Sequence, residues 1–169
     1  GTPFAADASA AAEVTAAVKE SVAGRVPILV KLSPNVADIA GVARAVESAG
    51  AGGISAINTL TGMVIDVHAR RPILANRTGG LSGPAIRPLA VRCVYEIHRA
   101  VDLPIVGVGG VSSGRDAVEM IMAGATAVGI GSAVYFEGPE AFGSIRDEMA
   151  TLMAELGYDH IDDMRGAAH

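Results

Sequence analysis

Apolar positions recur along this chain with two different spacings. Val36, Ile39, Val42, Ala43 and Val46 fall on one face of a helix, with Asn35 as its cap, Asp38 three residues on and Gly50 as its stop. Other apolar runs are too short for helices. Ile28–Leu32, Gly53–Ile57, Ile105–Val108 and Thr126–Ile130 read as strands bounded by Pro, Gly or Ser. An alanine-rich helix over Ala8–Val22, capped by Asp7 or Ser9, comes first. Further helices are expected from about Pro84 to Ala100, from Ser113 to Ala123 and from Glu140 to Leu156, the last ended by Gly157. Between them, Asn58–Gly83 shows only weak periodicity and exceeds the usual length of a βα loop, so it reads as functional or disordered. The tail Tyr158–His169 reads as polar, with one short turn.

The order αβαβαβαβα argues for an α/β fold of parallel strands joined by right-handed crossovers. An open doubly wound sheet and part of a (β/α)8 TIM barrel both fit. A whole barrel needs eight strands and typically about 250 residues. With 169 residues and four visible strands, the chain has the length of half a barrel plus a long loop, with two sheet edges to cover. Half of the residues are hydrophobic, which suits a sheet buried under helices. The net charge of −5 argues against a nucleic-acid partner. The single cysteine, Cys93, excludes an intrachain disulfide and fits a reducing, cytoplasmic compartment. No apolar run reaches transmembrane length and no signal peptide is visible. Gly1-Thr2-Pro3-Phe4 lacks an initiator Met and reads as the middle of a loop, the mark of an N-terminal truncation.

Candidate chemistry concentrates where strands end. Gly109-Gly110 and Gly131-Ser132 close two neighbouring βα strands. Singly each is a tight turn; together they aim backbone N–H groups at one spot, as a phosphate gripper does. Lys31 shares a strand face with Leu29, opposite the apolar face of Ile28, Val30 and Leu32. It therefore points toward the barrel axis, where it can hold an anionic or electron-rich ring, or else it snorkels to the rim. Asn58 and Thr59 follow the second strand at the same rim and can either read a planar polar substrate or simply start a turn. The loop Asn76–Gly83 lets backbone approach a ligand closely ahead of a helix. Ser112 or Ser113 is expected to cap the helix that follows, with Asp116 completing a capping box and no chemical role. Cys93 reads as a packing residue, and His68 as a solvated loop residue. His98, His160 and His169 lack metal-ligand spacing, and the acidic residues of the last helix and tail read as a solvated face.

Five strings occur in order, VKLSPN (30–35), INTLTG (57–62), ILANRTGGLSGPAI (73–86), PIVGVGGV (104–111) and MAGATAVGIGSA (122–133), and the resemblance they carry covers nearly the whole chain. Together they resemble the C-terminal half of a dihydroorotate dehydrogenase, in particular the FMN-binding catalytic subunit of the NAD-linked two-subunit type. The resemblance implies the last four βα units of a barrel that oxidises dihydroorotate to orotate with hydride transfer to FMN. It implies that Lys31, Ile57, Gly83, Gly109, Gly110, Gly131 and Ser132 bind FMN and that Asn58 and Thr59 bind the substrate. It places the catalytic base, a cysteine in this type, before Gly1, so none of the residues here is expected to be catalytic and the chain alone is expected to be inactive. A partner subunit with FAD and an iron–sulfur cluster, and an oligomeric assembly, are also implied. The alternatives are another FMN- or phosphate-binding barrel enzyme, or a non-catalytic fragment that needs a partner.

Overall fold

The computed structural model describes residues 7–169 of the chain. The loop expected at Gly1–Phe4 lies outside the described residues. Helix α1, Ala8–Val22, begins where the Asp7 carboxylate accepts from Ala10 N–H at 2.8 Å, and ends at Ala23 in the left-handed region, φ 50°. Strand β1 is Leu29–Leu32, helix α2 is Ile39–Ser48 and strand β2 is Gly53–Ala56. After a long excursion come a 3₁₀ turn at Pro84–Ile86, helix α3 at Arg87–His98, and the strand Ile105–Val108. Helix α4 is Gly114–Met122, and a final strand, Ala127–Gly129, follows.

The excursion is structured. Within it, β3 (Leu60–Gly62) pairs antiparallel with β6 (Gly79–Leu81), and β4 (Ile65–Asp66) pairs with β5 (Arg71–Pro72). The strands at 105–108 and 127–129 are therefore β7 and β8. Four strands form one parallel sheet in the order β1-β2-β7-β8, with Lys31 beside Ser55, Ala56 beside Gly107 and Gly107 beside Val128. The order follows the chain and never reverses. A doubly wound sheet reverses at its switch point, so the topology is that of a partial (β/α)8 barrel.

Burial drives this arrangement. The largest fully buried side chains include Ile54, Ile105, Val94, Ile97, Met120 and Ile121, drawn from β2, β7 and the two helices that cover them. Every residue of β2 is buried, whereas in β1 burial rises toward Leu32 and Lys31 stays exposed. Leu32 packs in the core and Val30 packs against it, so the apolar face of β1 turns to the helices and the Lys31 face turns away.

Four expectations need correction. Asp38, not Asn35, caps α2: its carboxylate accepts from Gly41 N–H at 2.8 Å. A short helix α5, Ser132–Glu137, precedes α6 at Glu140–Leu156; six residues carry too little period to be seen in sequence. The acidic face of α6 is not wholly solvated, because Glu148 Oε2 accepts from Gly114 N–H at 2.7 Å. The tail is a packed strap. Its helix α7, Ile161–Met164, buries Met164 fully, and the N–H groups of Gly166 and Ala168 donate to the carbonyls of Ile121 and Met122.

Candidate functional site

The four parallel strands end on one rim, and the residues just past them enclose a cleft of about 230 Å³. Its walls are Lys31, Ile57, Asn58, Thr59, Ser82, Gly83, Ile86, Val108, Gly109, Gly110, Gly131 and Ser132. All nine candidate residues lie on it. Ser82, Ile86 and Val108 are additional; Ser82 was legible only as part of the glycine-rich loop. Two larger hollows, of about 580 and 350 Å³, lie on the excursion around Asp66, Arg71 and Arg77 and near His98, Asp102 and Arg165. Neither contains a candidate residue.

Each wall has its own cause. Lys31 is carried in by β1 and makes no ion pair with any described residue. Asn58 N–H donates to Leu32 O at 2.8 Å, which ties the end of β2 to the end of β1. Asn58 Oδ1 accepts from Thr59 N–H at 2.8 Å, so the side-chain amide keeps its NH₂ as the free end. Asn35 spans the same loop: its Nδ2 donates to Thr59 O at 3.1 Å and its Oδ1 accepts from Thr61 N–H at 2.9 Å. The cap expected of Asn35 is therefore not its role; besides Ser33 Oγ, its side chain bonds groups 24 and 26 positions away.

The glycine turns differ in their reasons. Gly109 and Gly110 have φ 142° and 73°. A methyl group on Gly109 would stand 2.7 Å from Ala90 Cβ, and one on Gly110 would stand 2.7 Å from Gly83 O and 2.8 Å from Arg87 Cβ. Gly131, at φ −119°, has nothing within 4 Å of that point. The N–H groups of Gly110, Gly131 and Ser132 find no acceptor among the described residues, and α5 has no side-chain cap. Unpaired donors facing one cleft are a ready anion site.

The sequence model of the family described as dihydroorotate dehydrogenase matches residues 1–153. The chain belongs to the dihydroorotate dehydrogenase family. It is 52% identical over 169 residues to a dihydroorotate dehydrogenase B (NAD(+)), catalytic subunit, of Desulforamulus reducens, covering 100% of this chain and 55% of that protein. It is 51% identical to the protein of that description from Anoxybacillus flavithermus, covering 98% of this chain and 52% of the relative. For one from Bacillus cereus the values are 48%, 98% and 53%. The chain spans about half the length of the curated relatives it matches. The family is flavin-dependent.

Other reactive side chains of the chain stand away from the cleft. Cys93 is buried in α3, and burial pushes its thiol pKa up. His98 is held below the usual imidazole range by burial first, then by His169 and Arg165. Among the described residues, no group of three His, Cys, Asp or Glu side chains is placed to hold a metal. Among the described residues, no helix is long and apolar enough to cross a membrane.

Proposed function

We propose that this chain is the C-terminal half of a (β/α)8 barrel that binds FMN and oxidises dihydroorotate to orotate. The convergence of all nine candidate residues on one cleft is the observation that carries this reading. The residues fit the cofactor. Backbone N–H groups at Gly110, Gly131 and Ser132, unpaired among the described residues, suit a phosphate, and the space beside Gly131 admits it. Lys31, a cation with no ion-pair partner among the described residues, suits the electron-rich edge of the ring. The cleft is smaller than the roughly 300–1,000 Å³ of a typical ligand pocket, so these walls would surround part of FMN rather than the whole.

When bound, FMN supplies a two-electron acceptor. The residues of this chain bind and orient. The free NH₂ of Asn58 and the Thr59 hydroxyl offer paired polar groups to the ring amides and carboxylate of dihydroorotate. Among the described residues the cleft walls carry no carboxylate, imidazole or thiol, in keeping with a reading in which the proton acceptor comes from outside them. The relatives' description as a "catalytic subunit" supports a second subunit; in our reading that subunit carries FAD and an iron–sulfur cluster and takes the electrons. A cytoplasmic oligomer is the expected assembly.

The protein purified in its native assembly should show flavin absorbance that bleaches on adding dihydroorotate without oxygen. Lys31→Met should slow that bleaching by about 100-fold or more, given the size of a lost electrostatic contact to the reacting ring, with little change in the melting midpoint. Bleaching by a 2-hydroxy acid and not by dihydroorotate would move the chain to another FMN-barrel activity.

A further inference from the structure

The Gly109-Gly110 turn continues through Val111, Ser112 and Ser113 into α4, and a buried carboxylate underlies it. Asp116 is 3% exposed. Ser113 Oγ accepts from Asp116 N–H at 3.2 Å, as a cap should, but the return bond is shifted by one residue. Asp116 Oδ2 accepts from Ser112 N–H at 3.0 Å and from Ser112 Oγ–H at 3.1 Å, not from the cap residue. The other oxygen, Oδ1, forms an ion pair with Arg87 Nη1. Arg87 opens α3, directly behind Gly110, and its Nε lies 3.2 Å from Glu119 of α4. One carboxylate thus fastens the phosphate-side turn to the helix start that this turn rests on. A buried charge keeps such a geometry only while its partner is present.

We propose that the Arg87–Asp116 pair is a positioning device for the phosphate end of the cofactor: it holds the Gly109–Ser113 turn so that the Gly110 N–H faces the cleft. The inference rests on the FMN reading above. Neither residue lines the cleft, so the pair acts through the turn and sets affinity for the phosphate, not for the isoalloxazine ring.

FMN and riboflavin share the ring and differ in the phosphate, so their ratio isolates the effect. In the native assembly stripped of flavin, dissociation constants for both are measured by fluorescence quenching in wild type, Asp116→Asn, Arg87→Lys and the milder Ser112→Ala. Loss of a buried charge pair that supports a binding group is expected to weaken FMN on the order of tenfold in Asp116→Asn. Riboflavin affinity should stay within about twofold, because the ring contacts are untouched. Arg87→Lys, which keeps the charge, should recover part of the FMN preference, and Ser112→Ala should lose a smaller part. Equal weakening of both flavins, or an unchanged FMN-to-riboflavin ratio in all three variants, overturns the inference. If Asp116→Asn fails to fold, the ratio in Ser112→Ala decides by itself. A wild type with no preference for FMN over riboflavin refutes the FMN reading instead.

Discussion

The two glycine turns at the rim look alike in sequence and are built for opposite reasons. Gly109-Gly110 sits where β7 meets α3, and any side chain there collides with Ala90, Arg87 or the carbonyl of Gly83. Gly131 collides with nothing and has an ordinary φ. Packing requires glycine in the first turn. In the second, the protein itself does not require it, and the space left vacant is on the wall of the cleft. A glycine imposed by the fold says little about function. One that the fold leaves free points to a ligand that approaches the backbone.

The most severe way to break this contrast is Gly110→Ala. It combines a positive φ with contacts under 3 Å to backbone and Cβ atoms, neither of which can swing away. Strain and overpacking together are expected to cost about 2–4 kcal/mol of stability, read as a lower denaturant midpoint at unchanged slope. A midpoint equal to wild type would show that the first turn is as free as the second.

Next in size is Asn35→Ala, which probes the lip opposite the glycines. Losing the bonds to Thr59 O and Thr61 N–H should cost about 1–2 kcal/mol and speed hydrogen exchange at the Thr61 amide. The start of α2 should be untouched, because Asp38 caps it. Exchange accelerated at Gly41 instead would restore Asn35 as the cap. The residue also marks the limit of what the sequence makes legible. Asn35 and Asp38 are both good caps before the same apolar stripe, and only a partner two dozen residues away decides between them. The strands β3 to β6 were hidden for a related reason: two or three residues carry no period, and their pairing comes from register such as Leu60 with Leu81. Elements with local signals were read almost to the residue. α1 has its Asp7 cap, α6 its Gly157 stop, and β7 has apolar residues bounded by Pro104 and Gly109. The cleft residues were legible because strand ends announce themselves by Gly, Ser and Asn. The Arg87–Asp116 support was not, since no spacing links positions 87 and 116.

Gly131→Ala is the sharper half of the comparison because its effect on the fold should be small. Stability is expected to change by less than about 0.5 kcal/mol. FMN binding, measured by equilibrium dialysis, should weaken roughly tenfold, the worth of about one backbone hydrogen bond to the phosphate. A stable variant with full FMN affinity would make the second turn as uninformative as the first.

The smallest effect tests the far end of α3, the helix whose first residue supports the rim. His98 is its last residue, with His169 tilted against it at 4.8 Å between ring centroids and with Arg165 and Asp102 nearby. Burial, His169 and Arg165 all disfavour the imidazolium, outweighing Asp102, so the folded pKa lies below the ordinary 6.5. The unfolded chain then binds the proton more readily than the folded one. The stability that neutral His98 contributes is complete above pH 6.5 and is lost as pH falls through the lowered pKa. His98→Gln, which cannot charge, should therefore show a shallower fall in melting temperature between pH 7.5 and pH 5 than wild type. Because the side chain is only partly buried, solvent screening keeps the difference small. A steeper fall in the variant would mean that Asp102 outweighs the other three causes and that His98 is held charged. The two ends of α3 would then both be tied by ion pairs, rather than only the end that faces the cleft.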